Sequence, residues 1–247
     1  MKIISVANQK GGVGKTTTTL NLGMALIEQG YKVLFIDLDP QASLTISIQL
    51  EPHTLNKTIY NVLKEENIKT AILADRDKFF FLPSNIDLAA AELELVSEIG
   101  RESKLKDALE PIKNEYDYVL IDCPPSLGLL SVNAFVASDY VIIPMACEYL
   151  ALRGYNLLQN TIKKVSRLNP KIEIMGVLPT MYQNTIHHKE ILEELRSNHK
   201  VFSTIIKRSI KFSDCILAGV GMNEFDKEIA EYYNQLAQEV INYGKAC

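Results

Sequence analysis

Cysteine is scarce in this 247-residue sequence, and no cysteine pair has the spacing of a metal or redox site. The four cysteines lie far apart, and C-x-x-C does not occur. This pattern excludes a disulfide framework and a C-x-x-C zinc site, and it predicts reduced thiols in an intracellular chain. We expect Cys123, Cys147 and Cys215 to be buried apolar residues, and we assign no role to Cys247.

Long apolar runs are also missing. No stretch approaches the roughly 20 apolar residues that a membrane-spanning helix needs. The chain enters its first apolar run directly, without the basic segment and cleavage site of a signal peptide. We therefore expect a cytoplasmic protein. Long linkers, low-complexity tracts and internal repeats do not occur in the sequence, which predicts a single domain over residues 1–247.

Positive charge is outweighed overall but is concentrated in one part of the chain. The formal net charge is −4, yet residues 153–211 contain 11 Lys and Arg against 4 Asp and Glu. Such asymmetry can mark a face that binds an anionic polymer. Solvated helix faces would give many of the same charges, so the pattern alone leaves both interpretations open.

The pattern of apolar residues predicts an α/β fold. Several runs are continuously apolar, which is typical of buried parallel strands, and helix-period segments lie between them. Strand and helix alternation of this kind predicts a doubly wound, mostly parallel sheet. The predicted strands are residues 3–7, 32–37, 79–82, 118–122, 140–144, 173–178 and 204–206. The predicted helices are residues 15–29, 88–99, 103–114, 150–168, 188–197 and 224–243.

A glycine-rich run between the first predicted strand and the first predicted helix is the strongest functional signal. In that position the backbone N–H groups of the turn and the positive end of the helix dipole favour a phosphate group. Lys15 can reach the β- and γ-phosphates of a nucleotide, and the Thr16 hydroxyl can be a ligand of Mg²⁺. We predict nucleotide binding by Lys10, Gly11, Gly12, Val13, Gly14, Lys15, Thr16 and Thr17.

This run departs from the common pattern G-x-x-x-x-G-K-[ST] in two ways. Gln9 stands where the first glycine belongs, and Lys10 adds a second lysine. A surface lysine would be the ordinary interpretation, but Lys10 adjoins two glycines of a predicted phosphate-binding turn. We therefore expect Lys10 to have a role in nucleotide chemistry.

Acidic residues follow two further predicted strands. Asp37 and Asp39 end the second strand, and Asp122 ends the strand at 118–122. Ligands of open parallel sheets bind outside the carboxyl ends of the strands, where these acids would meet the glycine-rich loop. Carboxylate oxygens suit Mg²⁺, and phosphoryl transfer depends on positioning and charge neutralisation. We predict Thr16, Asp37 and Asp122 as the metal site, with ATP and Mg²⁺ as the bound species.

The run K-G-G-x-G-K-T-T resembles the deviant Walker A motif of the ParA/MinD family of ATPases. D-x-D-P-Q at residues 37–41 resembles the switch I region of ParA proteins, and residues 120–128 resemble their Walker B and switch II stretch. Residues 88–95 and 147–152 are also similar to ParA sequences, and the likeness to Soj-type members extends to about residue 240. The resemblance implies that Lys10 reaches the phosphates bound by a second subunit, and that Lys10, Lys15 and Asp39 serve catalysis.

The resemblance implies an ATP-switched DNA-partitioning protein of a chromosome or plasmid. ATP would close a homodimer, the dimer would bind non-specific double-stranded DNA on the nucleoid, and a ParB-like centromere-binding partner would stimulate hydrolysis. Lys207 and Arg208 are also expected near the nucleotide. The expected DNA contacts are Lys207, Arg208 and Lys211, followed by Lys189, Arg196 and Lys200.

Two alternatives remain at this stage. A membrane-cycling relative of MinD would need an amphipathic, basic C-terminal helix, but residues 238–247 are partly acidic and small, so we expect no membrane partner. A metabolic or redox enzyme, or a regulator, could use the same scaffold. The redox form would need cysteines arranged to share an iron–sulfur cluster between subunits, which Cys123 and Cys147 do not match.

Overall fold

Seven strands form one sheet in a computed structural model of the chain, which describes residues 1–76, 78–148, 151–218 and 222–246. The strands are β1 (Lys2–Val6), β2 (Val33–Asp37), β3 (Leu73–Arg76), β4 (Phe79–Leu82), β5 (Tyr118–Asp122), β6 (Tyr140–Ala146) and β7 (Glu173–Thr180). Their order in the sheet is β3-β4-β2-β5-β1-β6-β7. All neighbours pair in parallel except β3, which is antiparallel to β4. The predicted α/β fold with a mostly parallel sheet is confirmed.

Helices cover both faces of this sheet, as the doubly wound topology requires. The α-helices are α1 (Lys15–Glu28), α2 (Ser43–Ser47), α3 (Ile59–Leu63), α4 (Leu88–Glu94), α5 (Lys104–Leu109), α6 (Leu129–Ala137), α7 (Ala151–Val165), α8 (Ile186–Asn198), α9 (Lys211–Ala218), α10 (Met222–Phe225) and α11 (Lys227–Ala246). In the parts of the chain described, no helix combines the length and apolar character needed to cross a membrane.

Two apolar layers form the core, one on each face of the sheet. On one face α1 packs against α11, with Leu22, Leu26, Leu236 and Val240 in the contact layer. The opposite layer contains apolar residues of α3 to α8. Since strands in the middle of the sheet are covered on both faces, all five residues of β2 and of β5 are buried.

The three central strands bring the predicted site residues to one edge. β5 lies between β1 and β2, and Asp122 at its end is in register with Val6 of β1 and with Asp37 of β2. The glycine-rich loop follows β1 at this same edge. The carboxyl ends of β1, β2 and β5 therefore meet, although β5 ends 85 positions after β2 in the sequence.

The predicted strand at 204–206 is wrong. Residues 201–207 run beside β7 but form only two isolated bridges, Val177 with Val201 and Tyr182 with Lys207. The N–H groups of Ser203 and Thr204 donate instead to the carboxylate of Glu239 on α11, at 2.8 Å each. The side chain of Glu239 thus takes donors that a regular strand would have given to its neighbour.

Several helix boundaries also differ from the prediction. The helix predicted at 224–243 is divided, because Asp226 accepts a hydrogen bond from the N–H of Ile229 and caps a new helix, α11. The helix predicted at 103–114 narrows to a 3₁₀ turn at Pro111, which has no N–H to donate. The start of the helix predicted at 150–168 lies partly outside the described residues. Strand β3 and helices α2, α3, α6 and α9 were not predicted.

Candidate nucleotide-binding site

The glycine-rich loop has a backbone that depends on glycine at two positions. Gly12 and Gly14 have φ values of +72° and +87°, a region that other residues rarely adopt. A Cβ atom built at either of them, or at Gly11, would meet no atom of the described residues within 4 Å, so there is open space beside the loop. No side chain caps α1, and its first turn contains no acidic residue. The N–H groups at this helix start therefore suit an anion.

Two buried polar side chains hold the loop in place, and the sequence prediction included neither. The Asn8 amide donates to the carbonyl of Pro144 at 2.7 Å, and its oxygen accepts from the N–H of Lys10 at 2.9 Å. The Thr180 hydroxyl, at the end of β7, donates to the carbonyl of Val13 at 2.9 Å. Pro144 on β6 and Thr180 on β7 are both distant from the loop in sequence, so only the fold reveals these contacts.

The two lysines of the loop have different surroundings. The Lys15 side chain is largely buried, with the residue 8% exposed, and its Nζ lies 3.5 Å from the carbonyl of Lys10. Lys10 points outward and forms an ion pair with Glu148, which follows β6. The Lys10 side chain is 43% exposed, so its ammonium lies at the surface beside Glu148. Thr17 stands in the first turn of α1, where Asn21 donates to its carbonyl.

Thr16 and Asp122 are in direct contact. The Thr16 hydroxyl donates to Asp122 Oδ2 at 2.6 Å, and Thr19 approaches Oδ1 at 3.5 Å. Asp122 is 1% exposed. Burial first, and then the neighbouring charge of Asp37, raises the pKa of Asp122 well above its usual value.

Asp37 is buried beside Asp122, and its two oxygens accept three hydrogen bonds. Oδ2 accepts from the N–H and the hydroxyl of Thr45 at 2.8 and 2.7 Å, and Oδ1 accepts from the N–H of Asp39 at 3.1 Å. Burial raises the pKa of Asp37 to about 6, against the lowering effect of these bonds. Asp37 thereby fixes the start of α2 as well as adding negative charge at the site.

Asp39, unlike the buried Asp37, lies at the surface of the site. It is partly exposed, and its carboxylate accepts from the N–H of Gln41 at 2.9 Å, while its carbonyl accepts from the Ser84 hydroxyl at 2.8 Å. The Asp39 carboxylate is therefore held at the surface of the site, as a group that orients an attacking water needs to be.

These donors fit a nucleotide with Mg²⁺. Among the described residues no three His, Cys, Asp or Glu side chains are grouped closely enough to hold a metal ion by themselves. Mg²⁺ does not need such a cage, because it keeps several waters and takes ligands from substrate phosphates and one or two protein oxygens. The Thr16 hydroxyl can be a direct ligand of Mg²⁺, and Asp122 and Asp37 can accept hydrogen bonds from waters bound to the ion.

The basic residues predicted in the C-terminal third are exposed, but several have partners. Lys211 forms an ion pair with Asp226, Lys200 donates to the Tyr243 hydroxyl, and Lys207 lies 5.7 Å from the Tyr232 ring. Arg208 donates its N–H to the carbonyl of Tyr182, just before α8, which carries Lys189 and Arg196. Arg208 thus lies beside the start of α8. Lys207 and Arg208 adjoin the end of β7, at the same sheet edge as the glycine-rich loop.

Comparison with known proteins gives close relatives over almost the whole chain. A family model described as an AAA domain matches residues 1–174. The sporulation initiation inhibitor protein Soj of Bacillus subtilis is 42% identical over 98% of this chain and 99% of its own length. The chromosome partitioning protein ParA of Myxococcus xanthus is 39% identical over 97% of this chain and 88% of its own.

Solved structures share the fold. A protein of Mycobacterium smegmatis, described as cobyrinic acid a,c-diamide synthase with a bound ATP analogue and magnesium, has a TM-score of 0.87 at 36% identity, with 99% and 96% of the two chains covered. A plasmid partition protein from Borrelia burgdorferi B31 bound to AMPPNP has a TM-score of 0.85 at 30% identity, with 98% of each chain covered. The fold, the sequence motifs and these relatives together show that the chain belongs to the AAA-domain family of ParA/Soj-type P-loop ATPases.

Proposed function

We propose that the protein is an ATP-dependent DNA-partitioning protein that cycles between a monomer and an ATP-bound homodimer. The observation that carries this proposal is the pair of lysines in the glycine-rich loop. Lys15 is buried against the loop of its own chain, whereas the Lys10 side chain is exposed at the surface and pairs with Glu148. The relative described as chromosome partitioning protein ParA, together with the Soj relative, supports the partition role.

In the proposed mechanism, the loop N–H groups and Lys15 bind the phosphates of ATP. Thr16, with Asp122 and Asp37 behind it, holds Mg²⁺, which neutralises phosphate charge when bound. Asp39 orients the attacking water from the partly exposed side of the site. Lys10 leaves Glu148 and adds its charge to the phosphates of the partner subunit, so that each site is complete only in the dimer.

The proposed dimer binds non-specific double-stranded DNA through basic residues near α8. Arg208 and Lys189 come from adjoining segments, and Arg196 lies two turns further along the same helix. Lysine and arginine contacts to DNA phosphates release counterions, so the binding should weaken steeply with salt. A ParB-like partner would stimulate hydrolysis and release the dimer, which would move between the cytoplasm and the nucleoid.

Light scattering with and without ATP and Mg²⁺ tests the switch. We expect the wild-type chain to double in mass with ATP and to return to a monomer with ADP. Lys10→Ala should bind ATP but remain monomeric, because only the contact between subunits is lost. Lys2→Ala, on the opposite edge of the sheet, is the matched control and should dimerise normally. An ATP-bound wild-type monomer would contradict the proposal.

One alternative is favoured by a specific observation, the 36% identity to the protein described as cobyrinic acid a,c-diamide synthase. An ATP-dependent synthase of that class would couple ATP cleavage to amide formation on a carboxylic acid. ATP turnover that rises with duplex DNA and a ParB-like partner would favour partitioning. Turnover that needs a carboxylic acid and an amine donor would favour the synthase.

The membrane-cycling alternative has less support from the structure. The apolar side of α11 packs against α1, with Tyr233, Leu236 and Ala237 buried there. A helix that already uses its apolar side in the core has little left to insert into a bilayer. The redox alternative is weakened in a similar way, because Cys123 and Cys147 are both fully buried and burial raises the pKa of Cys147 to about 11.

A further inference from the structure

The start of α6 is capped from another helix. Gly128 is its N-cap residue and has no side chain to accept from the first N–H groups of the helix. Glu92 of α4 takes this place, since its Oε1 lies 3.3 Å from the N–H of Leu130. This carboxylate also lies at the positive end of the α6 dipole.

Glycine at position 128 leaves room for that carboxylate. A Cβ atom built on Gly128 would lie 2.4 Å from Glu92 Oε1 and 3.4 Å from Glu92 Cδ. The backbone angles of Gly128, φ −75° and ψ −167°, are open to any residue, so conformational freedom does not explain the glycine. The requirement at this position is space for Glu92.

Glu92 thereby fixes one end of the loop that follows the metal-site acid. Residues 123–128 connect Asp122 to α6, and the Ser131 hydroxyl donates to the carbonyl of Ser126 within the same turn. The loop is held at Asp122 by the sheet and at α6 by Glu92 and Ser131. A change at Glu92 removes one of the two side-chain contacts that hold the end remote from the sheet.

The segment that carries Glu92 also contacts the loop of Asp39. Ser84, which precedes α4, donates its hydroxyl to the carbonyl of Asp39 at 2.8 Å and its N–H to the hydroxyl of Thr45 at 3.0 Å. Residues 84–92 therefore contact the Asp39 loop through Ser84, and through Glu92 they contact the start of α6, where the 123–128 loop ends.

We propose that Glu92 is a positioning residue for ATP hydrolysis. Its carboxylate occupies the space that Gly128 leaves at the start of α6, and it thereby keeps the 123–128 loop in a fixed position relative to the Asp39 loop. The proposal rests on the ATPase activity of the proposed function. Glu92 does not contact the phosphate cradle, so its loss should lower kcat and leave ATP binding unchanged. Gly128→Ala should have the same effect, because its methyl group displaces the Glu92 carboxylate.

Steady-state ATPase assays on Glu92→Ala, Gly128→Ala and the double variant test this. We expect kcat to fall about fivefold or more in each single variant, with the KM for ATP within about twofold of wild type. The double variant should be no slower than Glu92→Ala, because the two changes remove the same contact. Glu94→Ala is the matched control on α4; its carboxylate pairs with Lys64 instead, and kcat should be unchanged.

A spectroscopic readout tests the loop without relying on turnover. The sequence contains no tryptophan, so Leu127→Trp places a single fluorophore in the 123–128 loop. Iodide should quench it more in the Glu92→Ala and Gly128→Ala backgrounds than in the reference or with Glu94→Ala. Unchanged quenching and kcat, or additive losses in the double variant, would overturn the proposal. Changed quenching in a protein that hydrolyses no ATP would refute the proposed function and leave the loop contact standing.

Discussion

Asp37 and Asp122 place two carboxylates side by side in an interior that disfavours charge. Burial raises the pKa of both; the charge of Asp37 further raises that of Asp122, and the charge of Asp39 adds slightly to that of Asp37. The pair therefore has unfavourable electrostatic energy in the absence of a cation. Bound Mg²⁺ would relieve it, so the same two residues that weaken the empty site strengthen cation binding.

The pH dependence of stability follows from this pair. The folded pKa of Asp37, about 6, exceeds the reference value of 3.8, so the folded chain holds the proton more tightly. That stabilisation is present below pH 3.8 and is lost as the pH rises through 6. In EDTA, from pH 4.5 to 7, wild type should lose on the order of 2 kcal/mol of unfolding free energy more than Asp37→Asn.

Urea unfolding at several pH values measures this difference. Asp37→Asn keeps an oxygen that can accept from Thr45 but loses the titrating group. The readout is therefore the slope of unfolding free energy against pH, and not the absolute stability of the variant. Stability curves of the two proteins that stay parallel from pH 4.5 to 7 would show that Asp37 does not titrate there.

The Thr16 hydroxyl connects the loop to Asp122 and is the predicted direct Mg²⁺ ligand. Thr16→Ala should bind a fluorescent ATP analogue in EDTA nearly as well as wild type, but Mg²⁺ should tighten binding at least about tenfold less. Titrations with and without Mg²⁺ measure this effect. Thr16→Ser keeps the hydroxyl and should behave like wild type; an equal gain from Mg²⁺ in the alanine variant would refute the assignment.

Contacts between site residues could be predicted from the sequence where the strand topology alone brings those residues together. Parallel strands end at one edge, so Thr16 and Asp122 were expected close together and do lie 2.6 Å apart. The contacts of Asp37 with Thr45 and of Lys10 with Glu148 were not predicted. They depend on how a short helix and a loop pack, and no local pattern encodes this.

At the scale of elements, α1 approaches the sheet so closely that one of its positions has no room for a side chain. A Cβ atom on Gly23 would lie 2.1 Å from Phe35 Cε1 and 3.0 Å from Leu120 Cδ1, both in the core. Gly23→Ala should therefore cost about 1 to 3 kcal/mol of unfolding free energy, although alanine favours helices. Urea denaturation measures the change.

Gly154 is the matched control, since it lies in α7 with only Asn8 Oδ1 nearby, at 3.9 Å. Gly154→Ala should be neutral or stabilising by up to about 1 kcal/mol. If both substitutions changed stability equally, close approach of α1 would not be the cause of the glycine at 23.

Helices and strands were predicted where the hydrophobic pattern extends over many residues, and they were missed where the segment is short. The buried runs of β2 and β5 and the 14 residues of α1 have clear patterns. Helices α2 and α3 have five residues each, too few to show a helical period. The break at Asp226 and the irregular course of residues 201–207 both result from side chains that accept hydrogen bonds from backbone N–H groups. The hydrophobic pattern of the sequence contains no information about such bonds.

For the whole molecule, the distribution of charge matters more than its sum. The net charge is −4, but residues 153–211 have an excess of seven positive charges. Arg208 and Lys189 are both exposed, and the Arg208 N–H donates to Tyr182 just before α8, the helix that carries Lys189. If these residues contact DNA phosphates, each alanine variant should reduce the slope of log affinity against log salt by roughly one. Fluorescence anisotropy with a labelled duplex, at several salt concentrations in the ATP form, measures the slope.

Lys69→Ala is the matched control, because Lys69 is also an exposed lysine but pairs with Glu115 in another part of the fold. Its slope should equal that of wild type. A similar fall in the control would indicate that overall charge, and not the α8 region, determines the binding.

The lateral edges of the sheet have a consequence for how copies of the chain can associate. On one side β7 is covered by residues 201–207, where the Val177 N–H donates to the carbonyl of Lys200 and its carbonyl accepts from Phe202. On the other side β3 has only four residues and an irregular register with β4. Short, irregular or covered edges are poor templates for added strands. Growth into open-ended β-stacked aggregates is thereby disfavoured, and pairing of copies is left to side-chain surfaces that can close on themselves.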